Sequence, residues 1–209
     1  MTEYLTEQEQ IEQLKKWFRV YGIPALFGVV VGIAIFYGWN YYQSYQTRIL
    51  SHASRVYDEM LTDRAQNNIE GTLVQAQKLL SHYPSTPYGE MAALMLAREA
   101  VNKKDYSEAL KQLSWVLDHS HQAAVRQMAR LRIARIYITQ QRPEEAIALL
   151  KTVDDKNFNG LIHEVLGDAE LAGHHNTEAQ AAYQLALQEL PNSEEIRPLL
   201  EMKLDNLVV

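Results

Sequence analysis

The chain divides into two hydrophobic regimes. Between Val20 and Thr47 there is no charged residue, and the most apolar part runs unbroken from Ile23 to Phe36. Such a segment is apolar on every face rather than along one stripe, as expected of a helix in lipid. As a helix, Tyr21 to Tyr41 reaches roughly 31 Å, which matches a hydrocarbon thickness of about 30 Å. Rings gather at both ends: Trp17, Phe18 and Tyr21 before it, and Tyr37, Trp39, Tyr41, Tyr42 and Tyr45 after it. Amphipathic rings favour the headgroup level. A cleaved signal sequence has a shorter apolar run and a small-residue cleavage site. Here the bulky Tyr37-Gly38-Trp39 follows, and the residues before Lys15 are acidic. The pattern predicts a transmembrane helix over 21–42, a short tail over 1–20 and a second domain over 43–209. Pro24 is expected in the first turn, where its missing N–H costs nothing.

Beyond residue 48 apolar positions recur at spacings of three and four, and no stretch alternates, so the domain is predicted to be all-α. Polar breaks fall at 67–71, 84–87, 102–105, 140–143 and 173–177. Asp105 with Glu108 reads as a helix cap and its box partner. Pro87 and Pro143 suit first helical positions, and Asn176 or Thr177 suits a cap. The breaks are regular, and so are the small residues between them. Ala76, Ala109, Ala146 and Ala179 are separated by 33, 37 and 33 residues, with Ala97, Ala134 and Gly167 twelve before the last three. Leu80, Leu113, Leu150 and Tyr183 each lie four residues after an alanine, and Pro191 closes the last unit. This spacing resembles the tetratricopeptide repeat, a pair of antiparallel helices about 34 residues long. The resemblance implies an α-solenoid in which the small residues sit where helices cross. The first unit departs from it, with Arg64 at the small position, and its first helix is expected to continue from the anchor. Unrelated stacked helices are the alternative.

Composition removes several function classes. The net charge of −6, with no long basic run, disfavours nucleic acid as a partner. With no cysteine there is no disulfide, thiol chemistry, Cys-based zinc site or lipidated cysteine. The sequence contains no phosphate loop, no Gly-x-Ser-x-Gly turn and no His-Glu-x-x-His. His119-x-His121 and His174-His175 are the close histidine pairs. Both lie in or beside predicted loops, without carboxylates at ligand spacing, and read as solvated side chains. The acidic pairs Asp154-Asp155 and Glu194-Glu195 read as helix-end charges. No enzyme activity, metal or cofactor is expected.

Orientation follows from basic residues. Lys15, Lys16 and Arg19 immediately precede the span, whereas the first after it are Arg48 and Arg55. The positive-inside rule therefore places the tail in the cytoplasm and the large domain across the membrane, the periplasm in a Gram-negative cell. Gly28 and Gly32, four apart on one face, are the expected contact for another membrane helix.

A repeat array presents a concave surface lined by the first helix of each pair. On the tetratricopeptide pattern the inward residues are Met91, Leu94, Arg98, Val101 and Asn102 in one unit. Met128, Leu131, Arg135, Ile138 and Thr139 follow in the next, then Leu161, Glu164, Asp168 and Leu171. Met91, Leu94 and Arg98 recur in register as Met128, Leu131 and Arg135. These six residues are the expected partner-binding set, an apolar floor with arginine forks suited to a peptide. The competing structural role for Arg135 is an internal bridge to Asp168.

The start Met1-x-x-Tyr4-x-x-Glu7, the anchor sequence Val29-Val30-Val31-Gly32-Ile33 ending in Tyr37-Gly38-Trp39-Asn40-Tyr41-Tyr42, the helical repeats and the close Met202-Lys203-Leu204-Asp205-Asn206-Leu207 together resemble the ancillary SecYEG translocon subunit family of Gram-negative bacteria. The resemblance implies an inner-membrane protein with a periplasmic tetratricopeptide-like domain. It implies association with the SecYEG translocon, with a membrane-anchored periplasmic chaperone of the prolyl-isomerase type, and with exported client proteins. A repeat adaptor in cell division or envelope assembly is the chief rival. A membrane-tethered hydrolase is a weaker one, since no nucleophile–base pair is visible.

Overall fold

The computed structural model describes residues 7–191 and 195–207; Met1, Tyr4 and Glu194, singled out above, lie outside the described residues. The described residues are largely helical and include no strand. They form two compact units, one up to His52 and one from Ala53 onward.

The first unit belongs to α1 (Glu7–Ala65). From Pro24 this helix is long and apolar enough to cross a membrane, with a mean hydropathy of 1.4 in its most apolar window and none of that window buried within the protein. Phe27, Ile35, Phe36 and Tyr37 are all exposed. Exposure on this scale distinguishes α1 from the core helix of a soluble protein, because apolar surface of this extent needs a covering phase. Pro24 lies in the interior of α1 rather than in its first turn, since the helix starts at Glu7. The carbonyl four residues earlier therefore loses its N–H partner, an irregularity common in membrane helices.

The second unit is a stack of helix pairs. The end of α1 pairs with α2 (Ile69–His82), then α3 (Pro87–Asn102) with α4 (Tyr106–His119). α5 (Ala123–Thr139) follows with α6 (Pro143–Leu150), α7 (Asn159–Ala172) with α8 (Asn176–Glu189), and α9 (Arg197–Asp205) closes the array. A short 3-10 turn, Lys156–Phe158, precedes α7. The four aligned alanines, Ala76, Ala109, Ala146 and Ala179, are completely buried. Ala97 and Ala134 are buried opposite them, and Leu113, Leu150 and Tyr183 are buried four residues on. Burial is local: one apolar cluster joins α1, α2 and α3, the next α3 to α5, the next α5 to α7, and the last α8 to α9. Each repeat thus buries its apolar face against its neighbours, as a stacked array requires.

The turns inside the pairs repeat as faithfully as the cores. Asn67, Lys104, Gln141 and His174 all have φ near +60°, two residues past the end of a first helix. At each, the next residue donates its N–H back to a carbonyl in the last turn of that helix: Asn68 to Asp63, Asp105 to Ala100, Arg142 to Tyr137 and His175 to Glu170. The positive-φ residue itself donates to Arg64, Val101, Ile138 or Leu171. This is the Schellman arrangement, built here four times without glycine. Starts are also visible. Pro87 and Pro143 are at the first helical position, Thr86 Oγ1 accepts from the Gly89 N–H, and Asp105 Oδ1 accepts from the Glu108 N–H. α2 has a cap that no expectation named, and the expected cap fails at α8. α2 starts at Ile69 behind Asn68, whose side chain accepts from the Gly71 N–H. α8 starts at Asn176 behind His175, because the Schellman turn fixes the boundary one residue early.

Candidate partner-binding cleft

A cleft of about 360 Å3 lies between α3 and α5 in the second unit. α3 contributes Ala97, Arg98, Val101 and Asn102, α4 contributes Tyr106 and Leu113, and α5 contributes Arg132, Arg135, Ile136 and Thr139. Its floor is apolar and its rim carries three guanidinium groups. The rim follows from helix geometry: 132, 135, 136 and 139 share one face of α5 at spacings of three, one and three.

The fold brings some of the six expected residues here and disperses the others. Arg98 and Arg135 line the cleft, together with the inward positions Val101, Asn102 and Thr139. Met91 and Met128 are exposed, at 46% and 37%, but lie outside the cleft. Leu94 packs against the core between α3 and α5. Leu131 is only 4% exposed and belongs to the core between α5 and α7. Equal register across repeats therefore does not give Leu94 and Leu131 an equal share of open surface. Gly28 and Gly32, on α1, have nothing within 4 Å of an added Cβ.

Electrostatic pairing between the first helices of neighbouring repeats is uneven. Glu99 of α3 is buried and held by Arg64 of α1. Glu164 of α7 is buried and held from two sides, by Arg135 at 2.7 Å and by Lys203 of α9 at 3.4 Å. Lys203 also reaches Asp168 at 2.5 Å, and Asp168 accepts the Tyr183 hydroxyl at 2.7 Å. Burial, and then the carboxylate of Asp168, push the Tyr183 phenol well above its ordinary range. Arg135 thus bridges to α7, but through Glu164, one helical turn before the Asp168 partner expected. Arg98 and Arg132 receive no such partner: among the described residues neither side chain makes a hydrogen bond or an ion pair. Burial lowers the Arg132 pKa, and the neighbouring charges of Arg135 and Arg98 lower it further.

On the opposite side of α5, Asp154 is held by Arg130 at 2.7 Å and Arg126 at 3.4 Å. Burial alone raises its pKa, but the hydrogen bonds and charges of Arg130 and Arg126 outweigh that and hold it below the ordinary carboxylate value. The histidines are better partnered than the sequence implied. His119 stacks on Trp115 with ring centroids 4.4 Å apart. His163 meets Glu189 at 2.5 Å, and His175 meets Glu170 at 2.8 Å with Glu144 at 4.0 Å. The hydrogen bond to Glu170 raises the His175 pKa. Among the described residues no group of three or more His, Asp or Glu side chains is arranged to hold a metal ion.

The pattern of the tetratricopeptide repeat-like domain covers residues 15–209. The chain belongs to that family. Several relatives of the chain share one name. A Neisseria gonorrhoeae protein named ancillary SecYEG translocon subunit is 29% identical over 99% of this chain and 100% of its own length. Proteins of the same name from Haemophilus influenzae and Escherichia coli K12 are 25% and 24% identical, over 97% and 99% of this chain and 98% of their own lengths. The resemblance seen in the sequence is therefore carried by full-length relatives. The crystal structure of a thermophilic tetratricopeptide protein of Thermus thermophilus superposes with a TM-score of 0.52 at 21% identity, covering 75% of this chain and 81% of that one, a likeness of fold.

Sequence reasoning missed Arg132, Tyr106 and Ile136. Arg132 has no counterpart at the matching position of α3, where Met95 stands. The readable signal was its place three residues before Arg135 on the same face of α5.

Proposed function

We propose that this protein is a non-enzymatic ancillary subunit of the Sec protein-export translocon. α1 anchors it in the bacterial inner membrane with the N-terminus in the cytoplasm, and the repeat domain works in the periplasm. There it links the SecYEG translocon to a membrane-anchored chaperone of the prolyl-isomerase type and to newly exported proteins. The observation that carries this reading is the extent of the matches. Relatives named as translocon subunits align with anchor and repeats together, over 97–99% of the chain. The side chains fit a binding role. The cleft offers an apolar floor and arginines, and its lining includes no histidine or carboxylate to activate a nucleophile. The basic residues Lys15, Lys16 and Arg19 before the span support the orientation. Gly28 and Gly32 offer a face on which another membrane helix can approach closely.

Photo-crosslinking in native membranes tests this, with the reactive group placed in turn at Gly28 and at Val101 and partners identified by mass spectrometry. The expected adducts are a translocon subunit from Gly28, and the chaperone or exported chains from Val101. Adducts with division or envelope-assembly proteins in their place would transfer the chain to the rival adaptor reading.

A further inference from the structure

We propose that the cleft between α3 and α5 is a carboxylate-recognition site, taking a segment of another protein in which an acidic side chain is flanked by apolar ones. This rests on the interaction role proposed above and specifies the chemistry of the occupant.

Charge pairing between the first helices of neighbouring repeats, and from α9, carries the inference. Three basic residues make these pairs: Arg64 meets Glu99, Arg135 meets Glu164, and Lys203 meets Glu164 and Asp168. From α7 onward the surface is closed on itself, because α9 lays Lys203 across Glu164 and Asp168 of α7. Between α3 and α5 the charges do not balance. Arg98 and Arg132 face a shared space with Arg135 beside them, and no carboxylate lines that space. Burial of Arg132, and then repulsion from the like charges of Arg135 and Arg98, lower its pKa. An incoming carboxylate removes the repulsion and gains charge-assisted hydrogen bonds from planar donors suited to bind it in a bidentate fashion. The floor of Ala97, Val101, Leu113 and Ile136 adds a requirement for an apolar neighbour. Tyr106, Asn102 and Thr139 supply polar contacts at the edge. A small inorganic anion would satisfy the arginines but leave this floor wet, so an acidic peptide segment fits the whole site.

The test uses the full-length protein in detergent micelles and two fluorescein-labelled peptides, followed by fluorescence anisotropy. One is Gly-Ala-Leu-Asp-Glu-Leu-Ala-Gly, and the other is its amide counterpart Gly-Ala-Leu-Asn-Gln-Leu-Ala-Gly. The acidic peptide is expected to bind at least about tenfold more tightly, and Arg98→Gln or Arg132→Gln to remove about tenfold or more of that affinity. Arg142→Gln, which changes the same charge outside the cleft, should leave it unchanged, and circular dichroism melts report whether each variant folds. Equal binding of both peptides, or an equal loss in Arg142→Gln, overturns the proposal. So does competition by inorganic phosphate at concentrations where the amide peptide does not compete, since the site would then be a plain anion site. Concentration-dependent self-association in sedimentation that vanishes in Arg98→Gln also overturns it, by making a second copy the occupant. Crosslinking to the translocon from Gly28 is read on the same variants. Its persistence with no acidic-peptide preference rejects the carboxylate site alone, while its absence in the wild type rejects the translocon reading.

Discussion

Gly167 lies directly against the ring of Tyr183: a Cβ on residue 167 would stand 2.4 Å from the ring edge. The two residues are where α7 crosses α8, and the tyrosine is completely buried there, its hydroxyl tied to Asp168. The absence of a side chain on one helix is what admits the largest buried side chain of the other. Gly167→Ala should therefore force the ring out of place and lower stability by about 1–3 kcal/mol, as overpacking does in other cores. A thermal melt reads this directly. An unchanged Tm would mean that the crossing relaxes without loss.

A second prediction concerns α9. Lys203 joins two carboxylates of α7, one of them the buried Glu164, whereas Arg135 reaches Glu164 with half of its own side chain in solvent. Removing Lys203 leaves Asp168 without its cation and Glu164 with one partner in place of two. Lys203→Ala should cost about 1–3 kcal/mol, while Arg135→Ala should cost less, about 1 kcal/mol, since its guanidinium is half in solvent and Lys203 still holds Glu164. Denaturant unfolding of the two variants checks the order. A larger loss for Arg135→Ala would make that arginine chiefly structural.

The left-handed turns give a stabilising prediction. Gln141 is exposed and holds φ of 60°, a conformation disfavoured for residues with a Cβ. Gln141→Gly should raise stability by up to about 1 kcal/mol, because glycine enters this region freely at the end of a helix. The same substitution at Gln140, whose φ is −85°, should lower it.

The pH dependence has a definite sign at Asp154. Its folded pKa lies below the ordinary value of about 3.9, so its pairing stabilises the fold above that value and is lost as pH falls through the folded pKa. Asp154→Asn should melt lower than the wild type near neutral pH, and the difference should shrink as pH falls below about 4. A constant difference down to about pH 2 would show that the loss is not electrostatic.

The repeats were legible because burial at a helix crossing restricts side-chain size whatever the rest of the sequence does. Ala109, Ala146 and Ala179 had to be small, and their spacing survives in the sequence. The Schellman turns were not legible, because Asn67, Lys104, Gln141 and His174 share a backbone conformation but no residue type. The cleft was half legible. Arg98 and Arg135 stand in register, but Leu131 is taken into the next interface while Leu94 serves its own. Arg135 pairs with Glu164 rather than Asp168, and Lys203 of α9 reaches both of those carboxylates. That helix left no mark in the repeat pattern, because it ends the array and has no counterpart earlier in it.

Topology is the last prediction. The apolar window of α1 is wholly exposed within the protein. Lys15, Lys16 and Arg19 lie just before the span, against Arg48 alone at comparable distance after it. If the positive-inside rule governs insertion, Gln13 lies in the cytoplasm and Ser114, on the exposed surface of α4, in the periplasm. The chain has no cysteine, so a single introduced thiol reports its own side of the membrane. In intact spheroplasts of a Gram-negative host, Ser114→Cys should react with a membrane-impermeant maleimide. Gln13→Cys should react only after lysis. The reverse pattern would put the repeat domain in the cytoplasm, and with it the cleft of Arg98 and Arg132. The translocon reading would then lose its periplasmic partners, and the carboxylate site would have to serve a cytoplasmic ligand. Labelling of both variants before lysis would mean that α1 does not cross the bilayer at all, and its exposed apolar surface would then need a protein partner to cover it.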